Sequence, residues 1–85
     1  MGRPRNLEHI GAIASRVCEG ETYQIIGEDL GLSTQIVGKR VKTIRELVTE
    51  TTGKSWLRTR PVAVCHEFLK LVDEESIVLA MGPSA

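Results

Sequence analysis

A chain of 85 residues, 41% hydrophobic and 26% charged, has room for one small core and not for a binding domain beside a catalytic one. Its formal net charge of zero argues against a generic polyanion binder such as a histone-like protein. No apolar run approaches the length that spans a bilayer.

Residues 1–6 read as a short basic arm in which Gly2, Arg3, Pro4 and Arg5 resemble the Gly-Arg-Pro core of an AT-hook. Such an extended segment lies in the narrow minor groove, which makes Arg3 and Arg5 candidate minor-groove contacts; the plainer reading is a disordered starter segment. Asn6 can cap a first helix running from about Leu7 to Glu19, with Leu7, Ile10, Ala14 and Val17 on one face and Gly20 ending it.

Residues 21–47 carry most of the information. Thr22 can cap a second, short helix in which Tyr23, Ile26, Gly27 and Leu30 share a face, Gly27 being small where two crossing helices would touch. Gly31 can take positive φ after that helix, Leu32 supplies a buried turn residue, and Ser33 can cap the helix that follows. In the third helix Val37, Val41, Ile44 and Val48 form one apolar stripe. Its opposite face holds Thr34, Gln35, Gly38, Lys39 and Lys42, with Arg45 further round. This is the arrangement of a helix-turn-helix whose second helix reads the major groove. Gln addresses adenine, and Lys or Arg addresses guanine or phosphate. An ordinary helical hairpin with a solvated basic face is the bland alternative.

The β-branched stretch Thr49 to Gly53 should unwind that helix. Residues 54–60 then alternate weakly, as a short strand or extended segment would. Pro61 restarts a helix at its favoured first position, running to about Ala80, with Val64, Phe68, Leu71 and Val78 on one line and Cys65, Phe68, Val72 and Leu79 on another. An apolar face that broad on so small a core predicts burial against a second chain, with Val64, Phe68, Leu71, Val72, Val78 and Leu79 as the dimer interface. Residues 81–85 read as a flexible tail.

Charge is unevenly distributed. Residues 39–60 hold seven basic residues (Lys39, Arg40, Lys42, Arg45, Lys54, Arg58, Arg60) against Glu46 and Glu50, a local +5. Residues 61–85 hold Lys70 against Glu67, Asp73, Glu74 and Glu75, a local −3. A basic middle and an acidic end suit one face for DNA and another for a partner. The two thiols, Cys18 and Cys65, sit in apolar helical patterns and read as reduced core residues of a cytoplasmic protein, nucleoid-associated if prokaryotic. With His9 and His66 they form no zinc pattern, and neither a metal nor a cofactor is expected.

Residues 7 to about 79 resemble the N-terminal DNA-binding domain of LysR-type transcriptional regulators, a winged helix-turn-helix; the molybdate-responsive regulators share that domain. Leu7 to Gly20 is similar to the family's first helix, and Glu21-Thr22-Tyr23 to its Gly-Ser-Phe-like lead into the second. Leu30 to Ser33 is similar to its corner, and Thr34 to Val41 to its Gln-Pro-Ala-Val-Ser-x-x-Ile recognition helix. Ile44 to Leu47 and Gly53 to Arg60 resemble the family's run into the wing. The family's recognition-helix serine is replaced by Gly38, almost no room remains between Arg60 and Val62 for a second wing strand, and the effector-binding domain has no counterpart in these residues.

The resemblance implies a mainly α, winged helix-turn-helix fold with a short or missing wing (residues 7–60) and a C-terminal linker and dimerisation helix (residues 61–80). The expected function is sequence-specific binding of double-stranded DNA by a homodimeric regulator, not an enzyme. Thr34, Gln35, Gly38, Lys39 and Lys42 are the candidate major-groove residues; Thr22, Ser33, Arg45, Lys54, Arg58 and Arg60 are the candidate phosphate contacts. The rival expectation is a winged-helix scaffold that binds a protein partner and has no specific DNA site.

Overall fold

The corner between the second and third helices is built by local chemistry. The computed structural model describes residues 7–75, and places four helices there, α1 (Ile10–Cys18), α2 (Tyr23–Leu30), α3 (Thr34–Thr52) and α4 (Pro61–Asp73). Thr22 caps α2, its hydroxyl accepting from the Ile25 N–H at 3.2 Å, and Ser33 caps α3 in the same way from Ile36 at 3.2 Å. Gly31 takes the left-handed conformation at φ 73° and donates to the Gly27 carbonyl, as does the Leu32 N–H at 2.7 Å. A Cβ on Gly27 would stand 2.5 Å from the Leu32 carbonyl oxygen. The glycine is therefore required by the close approach of the turn itself, where crossing helices were expected to demand it.

The four helices share one core. Ile10, Ile13, Ala14 and Val17 of α1 meet Ile26 of α2, Val37, Val41, Ile44 and Val48 of α3, and Val64, Cys65, Phe68 and Leu71 of α4. All are buried, and no buried polar side chain interrupts them among the described residues. Burial of each large side chain stabilises the fold by about 1.5–3 kcal/mol relative to leaving it exposed. Arg16 at the end of α1 bridges Glu21 (3.0 Å) and Asp29, tying both ends of α2 to α1. The hydrogen bond that Arg16 donates to Asp29 does most to hold its guanidinium above its ordinary pKa.

Several expectations are corrected. α1 begins at Ile10, preceded by His9 at φ 61° and a turn in which the Ile10 N–H donates to the Leu7 carbonyl; Asn6 lies outside the described residues. α3 does not unwind at Thr49. It continues to Thr52, whose hydroxyl donates to the Val48 carbonyl at 2.8 Å, and stops at Gly53 in the left-handed conformation. The anchored Val48 and the Thr52 hydrogen bond outweigh the weak helix propensity of the threonines. Residues 54–60 form no strand, so no wing is present among the described residues.

α4 stops at Asp73, with Glu75 at φ 59°, short of the expected Ala80. Three consecutive carboxylates at a helix C-terminus oppose its dipole. The largest correction concerns the dimer seam. Val64 and Phe68 are fully buried and Leu71 nearly so, with Val72 packed beside them, all against the chain's own core. α4 lies across both α1 and α3, so its two apolar lines serve two internal neighbours. Residues 61–73 thus belong to the same core as residues 7–60 and do not form an appended linker. Val78 and Leu79 lie outside the described residues.

Candidate nucleic-acid interface

α3 presents two unlike faces because its apolar residues recur on one stripe. Val37, Val41, Ile44 and Val48 are buried, while Gln35, Lys39 and Lys42 are exposed on the other side; Thr34 is exposed at the start of the helix, in line with the buried stripe. The structure thus gathers Gln35, Lys39 and Lys42 onto one solvent face, with Gly38 at its edge, and leaves Thr34 apart from them at the start of the helix. A Cβ on Gly38 would have nothing within 4 Å. Packing does not require a glycine there, although one in a helix interior costs about 1 kcal/mol relative to alanine.

The candidate phosphate contacts divide into groups. Thr22 and Ser33 hold their helix caps and remain exposed at the starts of α2 and α3. Lys54, Arg58 and Arg60 are exposed on the connection between α3 and α4. Arg45 is different: its Nη1 donates to the carbonyls of Trp56 and Thr59, the latter at 2.8 Å, from a half-buried position. It works inward as a tie between α3 and the loop, so its placement among the phosphate contacts is revised. Arg3 and Arg5 lie outside the described residues.

The loop has a second tie. Trp56 Nε1 donates to the Thr52 hydroxyl at 2.8 Å, giving the indole N–H its partner while the ring packs against the core. On the other side of α3, Arg40 Nε donates to the Glu8 carbonyl at 3.2 Å and fixes the chain just before α1. The sequence offers Arg45 to phosphate and Arg40 only as one of the local cations, and neither backbone tie follows from it. The one available signal was Trp56, whose N–H needs an acceptor; nothing in the spacing named Arg45 as the loop's donor.

Between the loop and the C-terminal half of α3 lies an open cavity of about 280 Å³, lined by Lys42, Arg45, Glu46, Glu50 and Leu57 among others. Leu57 stands at its rim, 79% exposed. Among the described residues no cluster of His, Cys, Asp and Glu is arranged to hold a metal ion. Nor is any helix there long and apolar enough to cross a membrane. Burial first, and then the nearby Cys18, pushes the Cys65 thiol up to about 12, which keeps it protonated and unreactive. Compared with known proteins, the chain matches no family model, no curated protein and no solved structure.

Proposed function

We propose that this chain binds double-stranded DNA at specific sequences through the outer face of α3, as a small dimeric transcriptional regulator with a winged-helix-like arrangement lacking the wing. The observation that carries the reading is the division of α3 into a buried valine-isoleucine stripe and an exposed Gln35, Lys39 and Lys42 front, with Thr34 exposed at the helix start. Gln35 accepts and donates to an adenine edge, Lys39 and Lys42 reach guanine or phosphate, and Ser33 brings the N-terminus of α3 toward the backbone. Lys54, Arg58 and Arg60 add affinity without sequence information. The sequence resemblance to LysR-type DNA-binding domains supports the same assignment, and occupancy of the site by two copies about one helical turn apart is the mechanism it implies. With Val64, Phe68 and Leu71 committed to the core, pairing of copies falls to another surface.

A protein-binding role is the second reading. It is favoured by exposed Val62, which with Ala63, Arg60 and His66 lines an open cavity of about 550 Å³ on the outer side of α4.

Selection of duplexes from a random pool tests the first reading. The wild-type chain should enrich a defined motif, and Gln35→Ala should relax one position of it at a loss of about 1–3 kcal/mol in binding. Lys39→Ala should weaken binding with little change in melting temperature. A pool that never enriches, or a Gln35 variant that fails to fold, would remove the assignment.

A further inference from the structure

Among the described residues Leu57 is the most exposed large hydrophobic side chain, at 79%. Its loop is firmly held. Arg45 donates to the Trp56 and Thr59 carbonyls on either side of it, Trp56 is tied to the Thr52 hydroxyl, and the Thr59 N–H donates back to the Trp56 carbonyl at 3.1 Å. Beside this apolar knob lies the open cavity of about 280 Å³ between the loop and α3, its wall mostly apolar and formed by Thr49 and the stems of Lys42, Arg45 and Glu46. Leu57 stands at the rim and does not fill it. Two copies related by a twofold axis can each place Leu57 in the other's cavity, the self-complementary contact that an isologous dimer needs.

We infer that this surface is the seam between two copies of the chain, with Leu57 of each seated in the cavity beside α3 of the other. It rests on the proposed dimeric reading and names the pairing surface that α4 leaves unassigned. Charge selects the occupant. Glu46 and Glu50 stand on the α3 wall and Lys54 and Arg58 on the loop, so a twofold axis brings carboxylates of one copy toward cations of the other. The same carboxylates repel phosphate, which sets this surface apart from the Gln35 and Lys39 front nearer the start of α3. Because the loop is already held, little conformational freedom is lost when Leu57 docks.

Spacing agrees with a seam at this point. The cavity runs along α3 from Lys42 to Glu50, centred near Glu46. From Gln35 to Glu46 the helix advances about 17 Å at 1.5 Å per residue. A dyad crossing near Glu46 sets Gln35 and its copy as much as about 34 Å apart, one helical turn of duplex DNA. Lys54 and Arg58 stand at the rim of such a seam, where phosphate also reaches them.

Sedimentation equilibrium of the full chain without DNA tests the seam. Wild type should be a dimer, and Leu57→Asp should raise its dissociation constant about a hundredfold or more while the chain stays folded by circular dichroism. Mixing Leu57→Cys chains with Thr49→Cys chains under a mild oxidant should give a mixed disulfide that neither variant gives with wild type. That readout does not depend on how well the aspartate variant folds. A wild-type monomer at every concentration, a dimer that Leu57→Asp leaves intact, or a dimer that forms no mixed disulfide would overturn the inference. A wild-type monomer that still enriches a duplex would overturn the seam and leave the α3 reading standing. A dimer broken by Leu57→Asp that enriches no duplex would uphold the seam and remove the α3 reading.

Discussion

α3 and α4 are both amphipathic helices packed on the same core, yet their surfaces lead to opposite conclusions. α4 has the broader apolar face, which by itself predicts a partner chain, and that face is filled internally by α1 and α3. α3 has a single apolar stripe, and its other face carries Gln35, Lys39 and Lys42 with no hydrophobic task. The breadth of an apolar face therefore counts a helix's neighbours within its own fold. The face that folding leaves unused is the better guide to function.

The largest expected effect tests the assignment of α4. Phe68→Ala should destabilise the fold by about 3–5 kcal/mol in denaturant melts, since the ring is fully buried. Leu71→Asp should unfold the chain. A folded monomer from either variant, with wild type a dimer by sedimentation, would return these residues to a seam. Next comes the loop. Arg45→Ala removes the donor to two carbonyls and should cost about 1–3 kcal/mol, with a change in Trp56 fluorescence as the tie to Thr52 loosens. An unaltered Trp56 signal and melting curve would show that the loop holds without it.

Gly38→Ala sharpens the contrast from the α3 side. With open space around its Cβ, alanine should stabilise the helix by about 0.4–1 kcal/mol. If the α3 front touches DNA, the same methyl group should impair or alter binding; a variant more stable and equally active would remove Gly38 from the contact set. The effect confined to alkaline pH is in Cys65. Its thiol is held at about 12 against an ordinary 9.0, so the folded state prefers the neutral form. That contribution is fully present below pH 9 and should fade as pH rises from there through 12. In the native protein a thiol reagent should therefore modify half-buried Cys18 well before Cys65, and equal rates would contradict the burial.

The corner was legible in the sequence because its determinants are local. Thr22, Gly31 and Ser33 act on backbone groups within three or four residues of themselves, so caps and turn follow from spacing alone. The buried stripe of α3 was legible for the same reason. The connection from Lys54 to Arg60 was not, because its shape is set by Arg45, eleven and fourteen residues away from the two carbonyls it binds. The end of α3 was misplaced because threonine propensity was weighed without the hydroxyl bond from Thr52 to Val48. The use of α4's second apolar line depends on which helices flank it, a tertiary fact that periodicity does not encode. Leu57 stayed unnoticed because an alternating strand reading gave it an ordinary place in a sheet.

The central claim is that the exposed front of α3 is a reader of duplex DNA. Its most direct test is an anisotropy titration near physiological salt. The wild-type chain and Gln35→Ala would each be titrated onto a labelled duplex enriched by the wild-type chain and onto a scrambled duplex of equal length. The account predicts a wild-type preference on the order of a thousandfold, sharply reduced by Gln35→Ala at an unchanged melting temperature. Weak and equal binding of the wild-type chain to both duplexes would contradict it.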